Sequence, residues 1–224
     1  MTKQVAKTIF DYLKTIYNNP TSELNFTNTY ELLVAVILSA QCTDKRVNLV
    51  TPLVFKKYNN VKELANANQD ELEECIKSCN YYKTKAKNLI ACAKSIENEF
   101  NAQVPNNVED LMKLRGVGKK TANVVYSVGF LGQAIAVDTH VLRVSKRLGL
   151  TNSKNPLVVE EDLQNLFSKS VWTELHYMLV LFGRYTCTAK KPNCASCGLK
   201  DVCPYYKELQ KNKNNKVWGN YVYR

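Results

Sequence analysis

The sequence has no hydrophobic run long enough to cross a membrane. Its longest apolar run, Leu32–Ala40, is well short of the ~20 residues that a spanning helix needs. The amino terminus lacks the uninterrupted apolar stretch and the small-residue cleavage site of a signal peptide. We therefore expect a cytoplasmic protein, in a reducing compartment where its eight cysteines favour thiols or metal ligands over disulfides.

Alternating strand patterns are also scarce, and no repeat of solenoid length occurs. Helical periodicity runs through nearly every segment before Cys187, which predicts an all-α fold. The tail beyond Lys207 is Lys/Asn-rich and then aromatic, which is typical of a disordered end. The predicted helices are Val5–Tyr17, Tyr30–Ala40, Asp44–Tyr58 (with a break or kink at Pro52), Val61–Ala67, Asp70–Ser78, Lys83–Phe100, Val108–Leu114, Thr121–Phe130, Thr139–Leu148, Pro156–Phe167 and Trp172–Tyr185.

Positive charge is in excess. The chain has 31 Lys and Arg against 20 Asp and Glu, a formal net charge of +11. Such a balance favours a polyanionic partner, with nucleic acid ahead of an acidic membrane.

One stretch in the middle of the chain combines several functional signals. Gly116-Val117-Gly118 predicts a sharp turn between two helices, and Lys119 and Lys120 follow it directly. Backbone N–H groups that point outward from such a turn, at a helix N-terminus, form a nest for one phosphate. A Gly-x-Gly sequence alone is more often a plain turn. The basic pair and the later carboxylate, Asp138, favour the functional interpretation.

Four cysteines follow in a short segment with the spacing C-x6-C-x2-C-x5-C, at Cys187, Cys194, Cys197 and Cys203. Such density in a cytosolic chain predicts a metal site. Structural zinc usually takes two close cysteine pairs, whereas only one C-x2-C pair is present here. Cys203-Pro204 is similar to iron–sulfur ligand runs that end in Cys-Pro. The spacing therefore favours an iron–sulfur cluster, and zinc stays open as the alternative.

The central stretch resembles the helix–hairpin–helix of the endonuclease III branch of the DNA glycosylase superfamily. That branch reads L-P-G-V-G-R/K-K-T-A in the hairpin and V-D-T-H in the later element, and this chain matches both around Gly116–Ala122 and Val137–His140. The cysteine spacing and its lead-in, Gly183–Cys187, match the family's cluster loop. Arg115 departs from the pattern, because the family usually has Pro there. The resemblance extends to about Tyr206.

The resemblance implies two catalytic residues. Lys120 would attack deoxyribose C1′, expel the damaged base and form a Schiff base, after which β-elimination cleaves the strand 3′ of the lesion. Three features are expected to disfavour the ammonium form of Lys120. They are partial burial on a helix face shared with Val124 and Ser127, the positive end of the helix dipole, and the neighbouring charge of Lys119. Asp138 would stabilise positive charge on the opening sugar while it caps the next helix.

The resemblance also implies the DNA contacts and the cofactor. The hairpin, through Gly116, Gly118 and Lys119, would hold a phosphate. Gln41 would fill the gap left by the flipped nucleotide, and Tyr81 would intercalate after Asn80, which is expected to take the left-handed backbone of the family's usual Gly. The four cysteines would hold a [4Fe-4S] cluster, which would fix a basic loop. The loop's expected phosphate contacts are Lys190 and Lys191.

The family's architecture implies two helical domains with a DNA-binding cleft. Residues 22–132 would form a six-helix domain with the hairpin, residues 1–21 and 133–207 the cluster domain, and residues 208–224 a tail. The expected function is that of a bifunctional glycosylase and abasic-site lyase that removes oxidised pyrimidines. We expect duplex DNA with damaged bases or abasic sites as the partner, no membrane association, a monomer and a nucleoid-associated protein.

Three rival hypotheses remain at this point. A monofunctional adenine glycosylase would share the hairpin and cluster, but such relatives lack a Lys at position 120 and carry a further C-terminal domain. A DNA-binding module without enzymatic activity, such as a redox sensor, would use both features only to bind phosphate. A zinc module would replace the cluster. Strand cleavage at an abasic site and the metal content distinguish these hypotheses.

Overall fold

The computed structural model describes residues 1–219, and side chains as far as residue 212. Within this part of the chain the secondary structure is entirely helical, as predicted, with one short 3-10 turn at Lys169–Val171. No described helix is both long enough and apolar enough to cross a membrane. The α-helices are α1 (Lys3–Ile16), α2 (Thr29–Ser39), α3 (Asp44–Lys57), α4 (Val61–Ala65), α5 (Gln69–Ile76), α6 (Tyr82–Glu99), α7 (Val108–Leu111), α8 (Lys119–Gly129), α9 (Thr139–Leu148), α10 (Pro156–Leu166), α11 (Trp172–Tyr185) and α12 (Pro204–Gly219).

The chain divides into two compact units. Residues Ser22–Ala134 form the first, which we call the central unit. Met1–Thr21 joins the described chain from Ile135 onward in the second, the terminal unit. The division after residue 134 lies two residues beyond the boundary expected from the family (134 against 132).

The central unit is built around α2. The Asn28 side chain accepts a hydrogen bond from Glu31 N at 2.9 Å and so caps the helix start. Every residue from Leu32 to Leu38 is buried, because α2 packs against α3, α6 and α8 on different sides. An apolar helix with no polar face is the expected sequence for that position.

The terminal unit joins the two ends of the chain. Helix α1 packs on α11, and α11 packs on α9, so that a helix from the amino terminus completes a core made by the later part of the chain. Ile9 and Leu13 of α1 are fully buried with Val141, Leu179 and Phe182. Burial of α1 on this core is consistent with its amphipathic sequence.

The predicted helices lie within three residues of the observed ones, and the expectation of a disordered tail is wrong for residues 208–219. Helix α3 continues through Pro52 without a break. Residues 208–219, which were expected in a disordered tail, are part of α12. This helix begins at Pro204, whose fixed φ angle suits the first helical turn. Tyr221 and Tyr223 of the predicted tail lie outside the described residues.

Candidate active site and nucleic-acid interface

The predicted hairpin is a tight turn between α7 and α8. Val117 N donates to Leu114 O at 3.1 Å, and both residues are buried, which anchors the turn to the central unit. Gly116 has φ +80, and a Cβ there would stand 3.0 Å from Asn88 Cβ. The turn therefore requires glycine at this position, both for backbone conformation and for space.

Gly118 has a different role in the same turn. It is the N-cap residue of α8, with φ −93, and a Cβ there would meet nothing within 4 Å. The protein's own packing therefore does not explain why position 118 is glycine. Open space at a helix start without a capping side chain suits the close approach of an anion. Lys119 is half-buried beside it.

Arg115, the departure from the family pattern, has a partner in the structure. Its Nε donates to Asn88 Oδ1 at 3.4 Å, although the side chain is exposed. Asn88 belongs to α6, so one side chain both limits the space at Gly116 and binds Arg115. This contact supports the turn where the family usually relies on the rigidity of proline. Nothing in the sequence pattern singles out Asn88.

Lys120 is the second residue of α8, and its side chain is exposed. The prediction of partial burial is therefore wrong. Val124 and Ser127, on the same helix face, are buried. Lys120 stands one turn before Val124, at the start of the helix, and there the amine faces solvent. It is accessible to a substrate.

Two loops of the central unit carry the predicted intercalating residues, and the structure brings these loops together. Gln41 follows α2 and is exposed, with φ +53. Tyr81 precedes α6 and is 65% exposed, with φ +58. The side chain of Asn80 donates from Nδ2 to Gln41 O at 2.6 Å. Left-handed backbone at non-glycine residues is uncommon, and it concentrates at functional sites.

The sequence assigns the left-handed conformation to the wrong residue. Asn80 was expected to replace a glycine with positive φ, but the residue with positive φ is Tyr81. Asn80 instead uses its amide for the bond to Gln41. An Asn residue can either adopt left-handed backbone or form a hydrogen bond through its side chain. Here the neighbouring loop supplies the Gln41 carbonyl as an acceptor, and Asn80 forms the side-chain bond.

Asp138 lies in the terminal unit as the N-cap of α9, where the sequence predicts a cap. Its Oδ1 accepts hydrogen bonds from His140 N and Val141 N, both at 2.8 Å. The carboxylate is thus held in one orientation at a helix start, and the capping bonds use only one of its two oxygens. The side chain is half-buried.

His140 follows Asp138 and is held as a neutral ring. Arg143 Nη2 lies 3.2 Å from His140 Nδ1. Because arginine can only donate, Nδ1 is the acceptor. Burial lowers the pKa of His140 below its ordinary value, and the nearby carboxylate of Asp138 opposes that shift in part. The imidazole is therefore held by a hydrogen bond two residues after Asp138.

The four cysteines of the terminal unit line one pocket, which is partly open to solvent and has an empty volume of about 340 Å³. None of the four forms a disulfide, and Cys187 and Cys203 are buried. Leu148 and Phe182 supply apolar walls. No three described His, Cys, Asp or Glu side chains are close enough to hold one metal ion. A pocket lined by four cysteines suits a metal group that is held by thiolates.

Arginines of α9 fix the loop that starts at Cys187. Arg147 donates to the carbonyls of Cys187 at 3.3 Å, Thr188 at 2.7 Å and Ala189 at 2.9 Å. It also lies 3.4 Å from Cys187 Sγ, and the Cys203 thiol donates to Arg147 O at 3.3 Å. Sequence reasoning missed this arginine, because its partners are mostly backbone carbonyls, which leave no trace in a motif.

Lys190 and Lys191 lie on the loop between Cys187 and Cys194. Both side chains are exposed, as a phosphate contact requires. The same loop is bound by Arg147 through its backbone, so the two lysines project from a fixed segment.

Comparison with known proteins agrees with these features. Residues 34–169 match the family model of the HhH-GPD superfamily of base excision DNA repair proteins. An endonuclease III of Rickettsia felis is 42% identical over 206 residues, which are 92% of this chain and 97% of the relative. The endonuclease III of Bacillus subtilis is 45% identical over 194 residues, 86% of this chain and 89% of the relative. The chain belongs to the endonuclease III family.

A solved structure of the family supports this assignment at the level of the fold. A trapped endonuclease III–DNA covalent intermediate is 42% identical and covers 94% of this chain and 99% of that chain, with a TM-score of 0.91. The superfamily model spans the hairpin and Asp138 but ends before the four cysteines. The longer matches to the relatives extend over nearly the whole chain.

Proposed function

We propose that this chain is a bifunctional DNA glycosylase and abasic-site lyase of base excision repair, which removes oxidised pyrimidines from duplex DNA. The observation that carries the proposal is the exposed amine of Lys120, which directly follows a glycine turn with an open anion-binding helix start. A family member trapped as a covalent intermediate with DNA supports a covalent mechanism.

In the proposed reaction, the unprotonated Lys120 amine bonds to C1′ while the bond from C1′ to the base breaks. The base leaves with the bonding electron pair and takes up a proton. The amine nitrogen loses one proton, the bond from C1′ to the ring oxygen breaks, and the ring oxygen is protonated, which leaves an iminium ion. Removal of a C2′ proton then expels the 3′ phosphate by β-elimination. Water finally hydrolyses the imine and restores the amine.

Asp138 is proposed as the carboxylate that stabilises positive charge on the opening sugar and assists proton transfer. Its capping bonds involve Oδ1 alone, so Oδ2 is outside them. A charge held in one orientation before the reaction costs no reorganisation when positive charge develops.

The DNA contacts are proposed from exposure and placement. Gly116 shapes the turn, and the open space at Gly118 and the basic Lys119 would receive one phosphate. Gln41 and Tyr81 project from adjoining loops and would occupy the space left by the extruded nucleotide. Lys190 and Lys191 would add phosphate contacts that weaken as salt increases.

The cofactor is proposed to be a [4Fe-4S] cluster held by Cys187, Cys194, Cys197 and Cys203. The cavity that these thiols line and their four-cysteine donor set fit such a group. Glycosidic cleavage needs no electron transfer, so the proposed role is structural. The cluster would fix the loop that carries Lys190 and Lys191. We further propose that the protein acts as a monomer on chromosomal DNA, in association with the nucleoid.

The test is borohydride trapping on a duplex with an abasic site. Borohydride reduces the imine to a stable protein–DNA adduct, which wild type should form and Lys120→Gln should not. Lys62→Gln is the matched control, since it removes one exposed positive charge from α4 of the same unit. Normal trapping by Lys120→Gln would overturn the nucleophile assignment. Binding without strand cleavage by wild type would favour a DNA-binding module without lyase activity.

A further inference from the structure

The two loops that carry Gln41 and Tyr81 are linked by direct contacts, although they are distant in sequence. The Asn80 side chain bonds to the backbone of Gln41 across 39 positions of sequence, at 2.6 Å. Cys42, one residue after Gln41, and Cys79, one residue before Asn80, also interact through their side chains. The two loops are therefore in contact at Gln41 and at the residue that follows it.

The base of this junction is held by a buried lysine. Lys85 of α6 is only 6% exposed, and its Nζ donates to Leu38 O at 2.8 Å. Leu38 is in the last turn of α2, where carbonyls lack intrahelical partners and where a cation is favoured by the helix dipole. The Lys85 contact fixes the end of α2, and so fixes the position at which the Gln41 loop begins.

The backbone of Gln41 needs such support. A glutamine at φ +53 is in the left-handed region, which is disfavoured for residues with a Cβ. Backbone in this region persists only where surrounding contacts hold the residue in place. The Asn80 bond uses the carbonyl of Gln41 itself, so it acts on the residue whose conformation is strained. Glycine, the family's usual residue at position 80, cannot make this bond.

We propose that Asn80 is a positioning residue: its amide holds Gln41 in the conformation from which Gln41 and Tyr81 enter the duplex together. The proposal rests on the proposed function, because it assumes that Gln41 fills the gap left by an extruded nucleotide. Asn80 touches neither the reacting atoms nor the sugar in this assignment. Because Asn80 holds Gln41 in place before DNA binds, less conformational entropy is lost when Gln41 and Tyr81 enter the duplex.

The test compares Asn80→Ala with a matched loss elsewhere. Asn66 also donates from Nδ2 to a backbone oxygen, Lys62 O at 2.9 Å, and is also exposed in the central unit. Asn66→Ala therefore removes the same kind of bond without changing either loop. Both changes are neutral, so neither adds a charge that would repel phosphate.

Three quantities are measured for each variant. The first is the steady-state kcat and KM for cleavage of an abasic-site duplex, and the second is the Kd for an undamaged duplex. The third is the fluorescence of 2-aminopurine placed opposite a non-cleavable abasic analogue, which increases when that base is unstacked. For Asn80→Ala we expect kcat/KM to fall about fivefold, the factor that corresponds to one net hydrogen bond. The fluorescence increase at saturation should also be smaller, while the Kd for undamaged duplex stays at the wild-type value.

Asn66→Ala should match wild type in all three quantities. Wild-type kinetics and fluorescence in Asn80→Ala would overturn the proposal. An equal loss in Asn66→Ala and Asn80→Ala would also overturn it, because that pattern indicates general destabilisation. Failure of the proposed function is a separate result, since wild type itself would then not cleave the abasic-site duplex.

Discussion

Asp138 has a structural and a proposed catalytic role, and two substitutions can separate them. Asp138→Asn keeps an oxygen that can accept the bonds from His140 N and Val141 N. Asn is as good an N-cap as Asp, so the folded state should be nearly unchanged. The substitution removes the negative charge that the proposed reaction requires. Asp138→Ala removes both the cap and the charge.

The magnitudes follow from these contacts. Loss of an N-cap costs about 1 kcal/mol of stability, and about 1 kcal/mol shifts Tm by ~2–4 °C in a protein of this size. We therefore expect Asp138→Ala to melt ~2–4 °C below wild type, and Asp138→Asn within about 1 °C. Loss of one preorganised electrostatic contact to the reacting centre typically reduces kcat by ~100-fold or more. Both variants should show that loss.

The assay combines thermal unfolding with single-turnover cleavage of an abasic-site duplex. Asn155→Ala is the matched control, since Asn155 caps α10 in the same unit by accepting from Leu157 N at 2.9 Å. It should lose as much stability as Asp138→Ala and keep the wild-type rate. If Asp138→Asn cleaves at nearly the wild-type rate, Asp138 is only a cap, and the catalytic assignment is refuted.

Two further predictions concern the hairpin and the cysteine loop. Gly116→Ala should lower the unfolding free energy by about 1–2 kcal/mol, the cost of left-handed backbone for a residue with a Cβ, whereas Gly118→Ala should cost less and mainly weaken binding of abasic-site duplex. Urea unfolding and a binding titration of both variants check this, and equal stability losses would contradict it. If the proposed cluster is bound, Arg147→Gln should lose its visible absorption roughly tenfold faster under a chelator, since even one lost charge-assisted bond is worth about 1.5 kcal/mol. The neighbouring Lys146→Gln is its control, and equal rates in the two variants would refute the role of Arg147.

Much of the fold could be read from local sequence patterns. Helix periodicity and caps are set within a few residues, so the predicted helices agree with the observed ones to within three residues. The glycine turn, the cap at Asp138 and the spacing of the four cysteines are also local features. The role of Gly116 can be predicted from the sequence because glycine readily adopts the left-handed backbone that this turn requires.

Other features depend on segments that are distant in sequence. Lys120 is exposed although Val124 and Ser127 on the same helix face are buried. Burial of a side chain depends on which other segments pack over it, and the helix pattern alone does not contain that information. The supports of the site were not predictable for the same reason. Asn80 binds Gln41, Lys85 binds Leu38, and Asn88 binds Arg115, each across more than twenty residues of sequence.

The sequence by itself thus determined the helices, the glycine turn between α7 and α8, and the set of four thiols. These depend on backbone preferences and side-chain chemistry, which a short segment contains in full. The tertiary structure decided which amine faces solvent, which loop residue takes the left-handed backbone, and which buried or bridging side chain holds each functional residue in place. Those outcomes are contacts between distant segments, and a contact exists only after both partners have been brought together by packing.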